Sequence, residues 1–182
     1  KNVLEYDNVM NTQREVIYAQ RQKVLDGEDL RENILSMLRS TVDSAVSDAI
    51  AENGGVNEGT VATIATTLGF CLPGGLQVTG KESELADSVY EAAEAAYAQK
   101  EARYGAEVMR ELERVIMLRV VDEYWMDHID AMDDLKQGIG LRAYGQHDPV
   151  VAYKEEGFSM FETMVEAIRE ETVRRLFLVQ LR

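Results

Sequence analysis

The stretch Leu118–Ile139, LRVVDEYWMDHIDAMDDLKQGI, decides the fold class of this chain. Its mainly apolar positions recur at alternating intervals of three and four residues, which is the spacing of a heptad seam on one helix face. These positions are Leu118, Val121, Trp125, His128, Met132, Leu135 and Ile139. We therefore expect one long helix that packs through this seam, with an acidic, solvated face on its other side.

A second helix is predicted to return along the first. Gly138, Gly140 and Gly145 interrupt the seam, and Asp148 with Pro149 then offers an N-cap followed by a first-turn proline. The inner face of the return helix is predicted to carry Phe158, Phe161, Val165, Ile168, Thr172, Leu176 and Val179. Because the connection is short, the two helices should form an antiparallel hairpin.

Packing inside this hairpin is expected to rest on Trp125, Met132 and Phe161. The eight methionines of the chain suggest an adaptable binding surface as an alternative, but core filling is their commoner role. His128 lies on the seam, where a hydrogen-bonded core histidine is commoner than a catalytic or metal-bound one. Gly157 lies inside the return helix, where glycine costs about 1 kcal/mol relative to alanine, and it predicts a bend or a late helix start.

The tip of the hairpin, residues 139–147, carries Leu141, Arg142 and Tyr144. A loop this short cannot easily bury these side chains against its own helices, and an ordinary turn does not need them. Tyrosine and arginine make contacts that tolerate many partner sequences, through a flat amphipathic ring and a forked cation. The tip is therefore a candidate contact surface, and the alternative is that Tyr144 packs under a neighbouring domain.

The N-terminal part of the chain is predicted to form two helices. The first covers residues 3–25 and ends at the break Asp26-Gly27. Asp29 is then predicted to be the N-cap of the second helix, with Glu32 as its capping-box partner.

Residues 52–81 have a different composition, because they hold seven of the thirteen glycines. We expect a loosely structured excursion there, with one short helix over about residues 57–68. Ser83 is the predicted N-cap of the next helix, which should stop near Gly105. Since no long run alternates apolar and polar residues, the predicted fold class is all-α.

The composition of the chain limits the classes of function that it can have. The chain has 182 residues, 46% of them hydrophobic, and its 33 acidic and 19 basic side chains give a net charge of −14. This balance argues against nucleic-acid binding, which needs a basic face. A single cysteine allows no internal disulfide and favours a reducing compartment. Apolar runs are far too short to span a bilayer, and a start at Lys1 suggests a segment of a longer protein.

The sequence motifs of common enzyme sites are missing. The chain has no phosphate-binding loop, no dinucleotide-binding glycine pattern and no nucleophile elbow. A carboxylate metal site in a helical bundle would require Glu-x-x-His, but Trp125 and Tyr144 stand three residues before His128 and His147. We therefore expect no catalytic, cofactor-binding or metal-binding residue in this chain.

Two stretches resemble the SecA family of preprotein translocase motors. The first resembles the start of the family's long scaffold helix, and the second resembles its two-helix finger over nearly the whole length. The matching strings, with x for a position that does not carry the resemblance, are EYDNV (5–9), QR (13–14), YxQR (18–21), MDxLxQGIxLRxYxQxDP (132–149), YK (153–154) and FSMF (158–161).

This resemblance implies a helical scaffold in two segments, residues 1–51 and 105–182, with a small helical wing domain, residues 52–104, inserted between them. It also places the family's fingertip tyrosine at Tyr144. The nucleotide-binding folds that use ATP and magnesium would lie outside this chain, so the segment itself would not be an enzyme. Its contribution would be mechanical, coupling the motor to movement of the polypeptide.

The partners implied by the resemblance are the SecYEG channel, an unfolded preprotein and the motor domains that this chain lacks. A homodimer is left open, no nucleic acid is expected, and an anionic membrane surface would be contacted only through the full-length protein. The implied location is the cytoplasm, peripheral to the inner face of the bacterial cell membrane. The alternative is a free-standing helical adapter or coiled-coil scaffold that binds partner proteins.

Overall fold

The computed structural model describes residues 2–76, 81–142 and 148–181. Within these ranges the chain forms six α-helices, one 3-10 turn and no strand, which confirms the all-α prediction. The helices are α1 Asn2–Asp26, α2 Leu30–Asn53, α3 Glu58–Thr67, α4 Glu82–Tyr104, α5 Ala106–Arg142 and α6 Pro149–Leu178, and the 3-10 turn is Gly69–Cys71. In the described part, none of these helices is long and apolar enough to span a membrane.

Contacts divide the chain into two compact units. Unit 1 combines residues 1–28 with 117–168, and unit 2 combines residues 29–116 with 169–182. The helices α5 and α6 therefore contribute residues to both units. The division into a two-segment scaffold and an inserted wing was drawn from family resemblance and remains a prediction.

The core of unit 1 follows much of the predicted seam. Trp125, His128, Met132 and Ile139 are buried, and the other three seam residues are partly buried. The prediction for Phe158 is wrong, because its side chain is 62% exposed. The buried positions of α6 in this unit are Val150, Tyr153, Gly157, Met164 and Ile168. Since successive helix residues are about 100° apart, a stripe through Gly157 turns Phe158 towards solvent.

Gly157 is buried inside an uninterrupted α6, so the predicted late start at this residue is wrong. A Cβ atom built on Gly157 would lie 2.7 Å from Cε and 3.3 Å from Sδ of Met132. The glycine therefore makes room for the fully buried Met132 side chain of α5. Glycine is unfavourable inside a helix, but at this position it allows the two hairpin helices to approach each other closely.

The predicted helix starts have mixed outcomes. Asp148 does cap α6, because its Oδ1 accepts a hydrogen bond from the Val150 backbone N–H at 2.9 Å. Asp29 makes no side-chain cap, since its backbone is left-handed with φ 50°, whereas a capping side chain needs an extended backbone. Ser83 also fails as an N-cap, because α4 begins one residue before it and Lys81 occupies the cap position.

Within the described part of residues 52–81, the predicted short helix is confirmed as α3, whereas the expectation of a loosely structured excursion is wrong because four of these residues, Ile64, Leu68, Cys71 and Leu72, are buried in the core of unit 2. Asn57 forms a capping box with Thr60 and starts α3, and the 3-10 turn follows. The core contains Leu38, Val42, Val46, Ala49, Ile64, Leu68, Cys71, Leu72, Leu85, Val89, Ala93 and Val173. Apolar side chains at the spacing of Ile64 and Leu68 are enough to anchor a segment that is otherwise rich in threonine, alanine and glycine.

Candidate functional site

The outer end of the hairpin is the first part of the candidate site. Helix α5 continues to Arg142, so Leu141 belongs to the helix rather than to a loop, and its side chain is 84% exposed. Ile139, which was predicted to lie in the tip, is instead only 1% exposed. Tyr144 and the side chain of Arg142 lie outside the described residues. Leu141 is therefore the one predicted tip contact whose surroundings the structure describes.

A chain of buried polar groups joins the two hairpin helices to α1. The Gln13 side chain of α1 donates from Nε2 to the Gly157 carbonyl oxygen of α6 at 3.2 Å. Its Oε1 lies 2.7 Å from Nε2 of His128 on α5. Because the amide nitrogen is engaged with a carbonyl, Oε1 acts as an acceptor, and His128 must carry its proton on Nε2. We call Gln13, His128 and Gly157 the relay.

Burial controls the charge of the relay histidine. His128 is 5% exposed, and its ring lies 5.5 Å from the Trp125 ring and 5.7 Å from the Phe161 ring, measured between centroids. Desolvation lowers the pKa of His128 below its ordinary value of 6.5, because the imidazolium loses its hydration. The surroundings of His128 therefore favour the neutral ring, and its single proton lies on Nε2.

The sequence identified His128 as a core residue but not its partner. Gln13 has a polar side chain, which normally indicates a solvent-facing helix position, but it is only 7% exposed. Gln13 does lie between Met10 and Ile17 at the spacing of the apolar stripe of α1. That position on the stripe was the available signal for its burial.

An aromatic contact joins α1 to α6 nearer the tip than the relay. The rings of Tyr6 and Tyr153 meet edge to face, with centroids 4.8 Å apart, and Lys136 Nζ lies 5.5 Å from the centroid of the Tyr6 ring. Met132, Ile139 and Tyr153 form the buried cluster of this region. Of the residues predicted to pack the hairpin, Trp125 and Met132 are buried and Phe161 is half-buried.

A cleft of about 470 Å³ lies between α1 and α5 in unit 1. Arg21 spans it with two hydrogen bonds to the Asp122 carboxylate, 2.9 Å from Nε and 3.2 Å from Nη2. Tyr18 and Met126 line the same cleft with side chains 56% and 67% exposed.

Unit 2 has a separate buried polar cluster. Tyr97 donates its hydroxyl proton to the fully buried Glu113 carboxylate, which also accepts hydrogen bonds from Arg110 at 2.6 and 3.0 Å. Burial is the largest cause of a raised pKa of the Tyr97 hydroxyl, so the phenol stays protonated. This cluster joins α4 to α5.

The acidic stretch between Asp122 and Asp134 shows no metal-binding geometry. Within the ranges that the structure describes, no group of three or more His, Cys, Asp or Glu side chains could hold a metal ion.

Comparison with known proteins shows what this helical scaffold is similar to. The SecA Wing and Scaffold domain family matches residues 1–180. Protein translocase subunit SecA 1 of Clostridioides difficile (strain 630) is 50% identical over 181 residues, which covers 97% of this chain and 20% of that protein. Protein translocase subunit SecA of Symbiobacterium thermophilum is 44% identical over 198 residues, covering 100% of this chain and 22% of that protein.

The helical fold and its hairpin are those of a scaffold segment. Since the family match extends over nearly the whole chain, the chain belongs to the SecA Wing and Scaffold domain family. It spans about a fifth of the length of the curated relatives that it matches.

Proposed function

We propose that this chain is the mechanical, non-catalytic part of an ATP-driven protein translocase. The observation that carries the proposal is a hairpin whose two helices are joined to α1 by buried contacts, while Leu141 near its outer end is 84% exposed. A rigid base and an exposed end are what a lever requires. The membership of the chain in a SecA domain family supports the same role.

In this proposal the energy source lies elsewhere in the full-length protein. Nucleotide-binding domains hydrolyse ATP with magnesium, and α1 passes their movement to the hairpin. The hairpin acts at the mouth of the SecYEG channel on an unfolded preprotein. The protein works in the cytoplasm, peripherally bound to the inner face of the cell membrane.

The contact with the moving polypeptide is assigned to the fingertip residues Tyr144, Arg142 and Leu141. An aromatic face accepts many side chains through its apolar area, and a guanidinium donates hydrogen bonds to backbone carbonyls of any sequence. A motor that moves many substrates needs this tolerance. The exposure of Leu141 supports the assignment, because a side chain that packed under its own hairpin would be covered.

The test is Tyr144→Ala in the full-length protein, with thermal unfolding, ATP turnover and preprotein translocation measured in parallel. We expect translocation to fall sharply, while the free energy of unfolding changes by no more than about 0.5 kcal/mol, the usual effect of replacing a side chain that does not pack in a core. Tyr18→Ala is the matched control, because Tyr18 is a tyrosine of unit 1 whose side chain is 56% exposed, and it should leave translocation unchanged.

Three outcomes separate the alternatives. Lost translocation with unchanged stability supports a polypeptide contact at Tyr144. A large loss of stability would instead mean that Tyr144 packs against a neighbouring domain. Unchanged translocation would reject the fingertip assignment.

A further inference from the structure

The relay places polar atoms in a core that does not need them for stability. Gln13 and His128 are 7% and 5% exposed, and the His128 ring lies beside the Trp125 and Phe161 rings. A hydrogen-bonded buried pair contributes little net free energy, and replacing both partners by apolar groups of similar shape is often nearly neutral. Such a pair instead specifies how the helices are positioned relative to one another, since its hydrogen bonds form only in one relative arrangement of the helices.

The geometry of the relay allows only small shifts of the helices relative to one another. The Gln13 amide binds both hairpin helices. Its Nε2 donates to the Gly157 carbonyl oxygen of α6, and its Oε1 accepts from His128 Nε2 of α5. Moving a helix by one residue shifts it about 1.5 Å and turns it about 100°, which would carry either partner out of hydrogen-bond reach. Met132 fills the space beside Gly157, so sliding α6 by one residue would bring a side chain against Met132.

We propose that Gln13 is a positioning residue, which through the relay sets the axial and rotational position of α1 against both hairpin helices. This inference rests on the proposed function, because the setting matters when α1 drives the hairpin. With the relay intact, displacement of α1 moves α5 and α6 together. Without it, α1 turns against the hairpin, and part of each ATP-driven movement is lost before it reaches the fingertip.

The experiment compares variants of the full-length protein by the amount of ATP hydrolysed per preprotein translocated. Gln13→Leu leaves the His128 N–H without its acceptor, and should lower the melting temperature and raise this ratio. The double variant Gln13→Leu with His128→Leu removes both polar partners, so its melting temperature should recover. Its ratio should still exceed the original by about threefold or more.

Control variants separate positioning from simple damage. Gln20→Leu makes the same chemical change at an exposed glutamine of α1 and should leave the ratio unchanged. If the double variant does not fold, Gln13→Asn is measured below its melting temperature, because it keeps the amide but is too short to reach both partners. A normal ratio in the folded double variant, or in Gln13→Asn when that variant replaces it, overturns the proposal.

The same measurements keep the relay distinct from the fingertip. If Tyr144→Ala translocates normally while the relay variants show a raised ratio, the fingertip contact is rejected and the relay is supported. If Tyr144→Ala blocks translocation while the relay variants show a normal ratio, only the relay is rejected.

Discussion

At the scale of single residues, Trp125 tests how much of the stability of unit 1 comes from its buried aromatic groups. It is 6% exposed, so Trp125→Ala should lower the free energy of unfolding by about 3 to 5 kcal/mol. Its neighbour Met126 is 67% exposed, and Met126→Ala should change it by no more than about 0.5 kcal/mol. Urea denaturation of both variants provides the measurement, and equal effects would contradict the described packing.

His128 should make stability depend on pH. Burial lowers the pKa of His128 below 6.5 in the folded state, so the unfolded chain binds more protons in the interval between the two pKa values. The free energy of unfolding should therefore decrease as pH falls through about 6.5, and this contribution should level off below the folded pKa. Denaturation from about pH 7.5 to 5 provides the measurement.

The control for this prediction is His128→Gln, which removes the titrating group and keeps a polar side chain. Its stability should vary less over the same interval than that of the unchanged protein. Equal slopes for the two proteins would mean that His128 titrates normally in the folded state.

At the scale of secondary-structure elements, Lys100 of α4 holds the C-terminal end of α6. Its Nζ donates to the carbonyl oxygens of Leu176 at 2.7 Å and Phe177 at 3.0 Å, and also to that of Val179. Burial lowers the pKa of the Lys100 ammonium, but its carbonyl acceptors favour the charged form. A cation at this end also interacts favourably with the helix dipole.

Lys100→Met should keep the packing of the side-chain stem and remove the hydrogen bonds. We expect a loss of about 1.5 to 3 kcal/mol in the free energy of unfolding, the range for hydrogen bonds to a charged group. Faster amide hydrogen exchange around residues 176–179 would locate the effect. Lys154→Met, at an exposed position of α6, is the control and should leave both measurements nearly unchanged.

Sequence patterns predicted where the helices lie better than they predicted the helix caps, the buried faces and the partners of buried polar groups. The caps show why, because Asp148 and Asp29 are the same residue type, and only the backbone that each adopts decides whether its carboxylate reaches an N–H group. Phe158 shows a second limit, since its hydrophobicity predicted burial but its angle around α6 exposes it. Gln13 shows a third, because one buried amide resembles any polar residue until its partners from distant helices are known.

At the scale of the whole molecule, both compact units are built from separate parts of the chain. Their boundaries at residues 116–117 and 168–169 fall inside α5 and α6. A continuous helix needs no glycine or proline at such a point, so no local signal marks these boundaries in the sequence. The glycine-rich stretch at 52–81 is conspicuous in the sequence, but its described part belongs to the core of unit 2.

The space shared by Gly157 and Met132 also bears on how such a chain changes over generations. Relatives that are 44 to 50% identical to this chain differ from it at about half of the aligned positions. A larger residue at 157 would meet the end of the Met132 side chain, which would have to change rotamer or be replaced by a shorter residue. We therefore expect the residue types at positions 157 and 132 to change together among relatives.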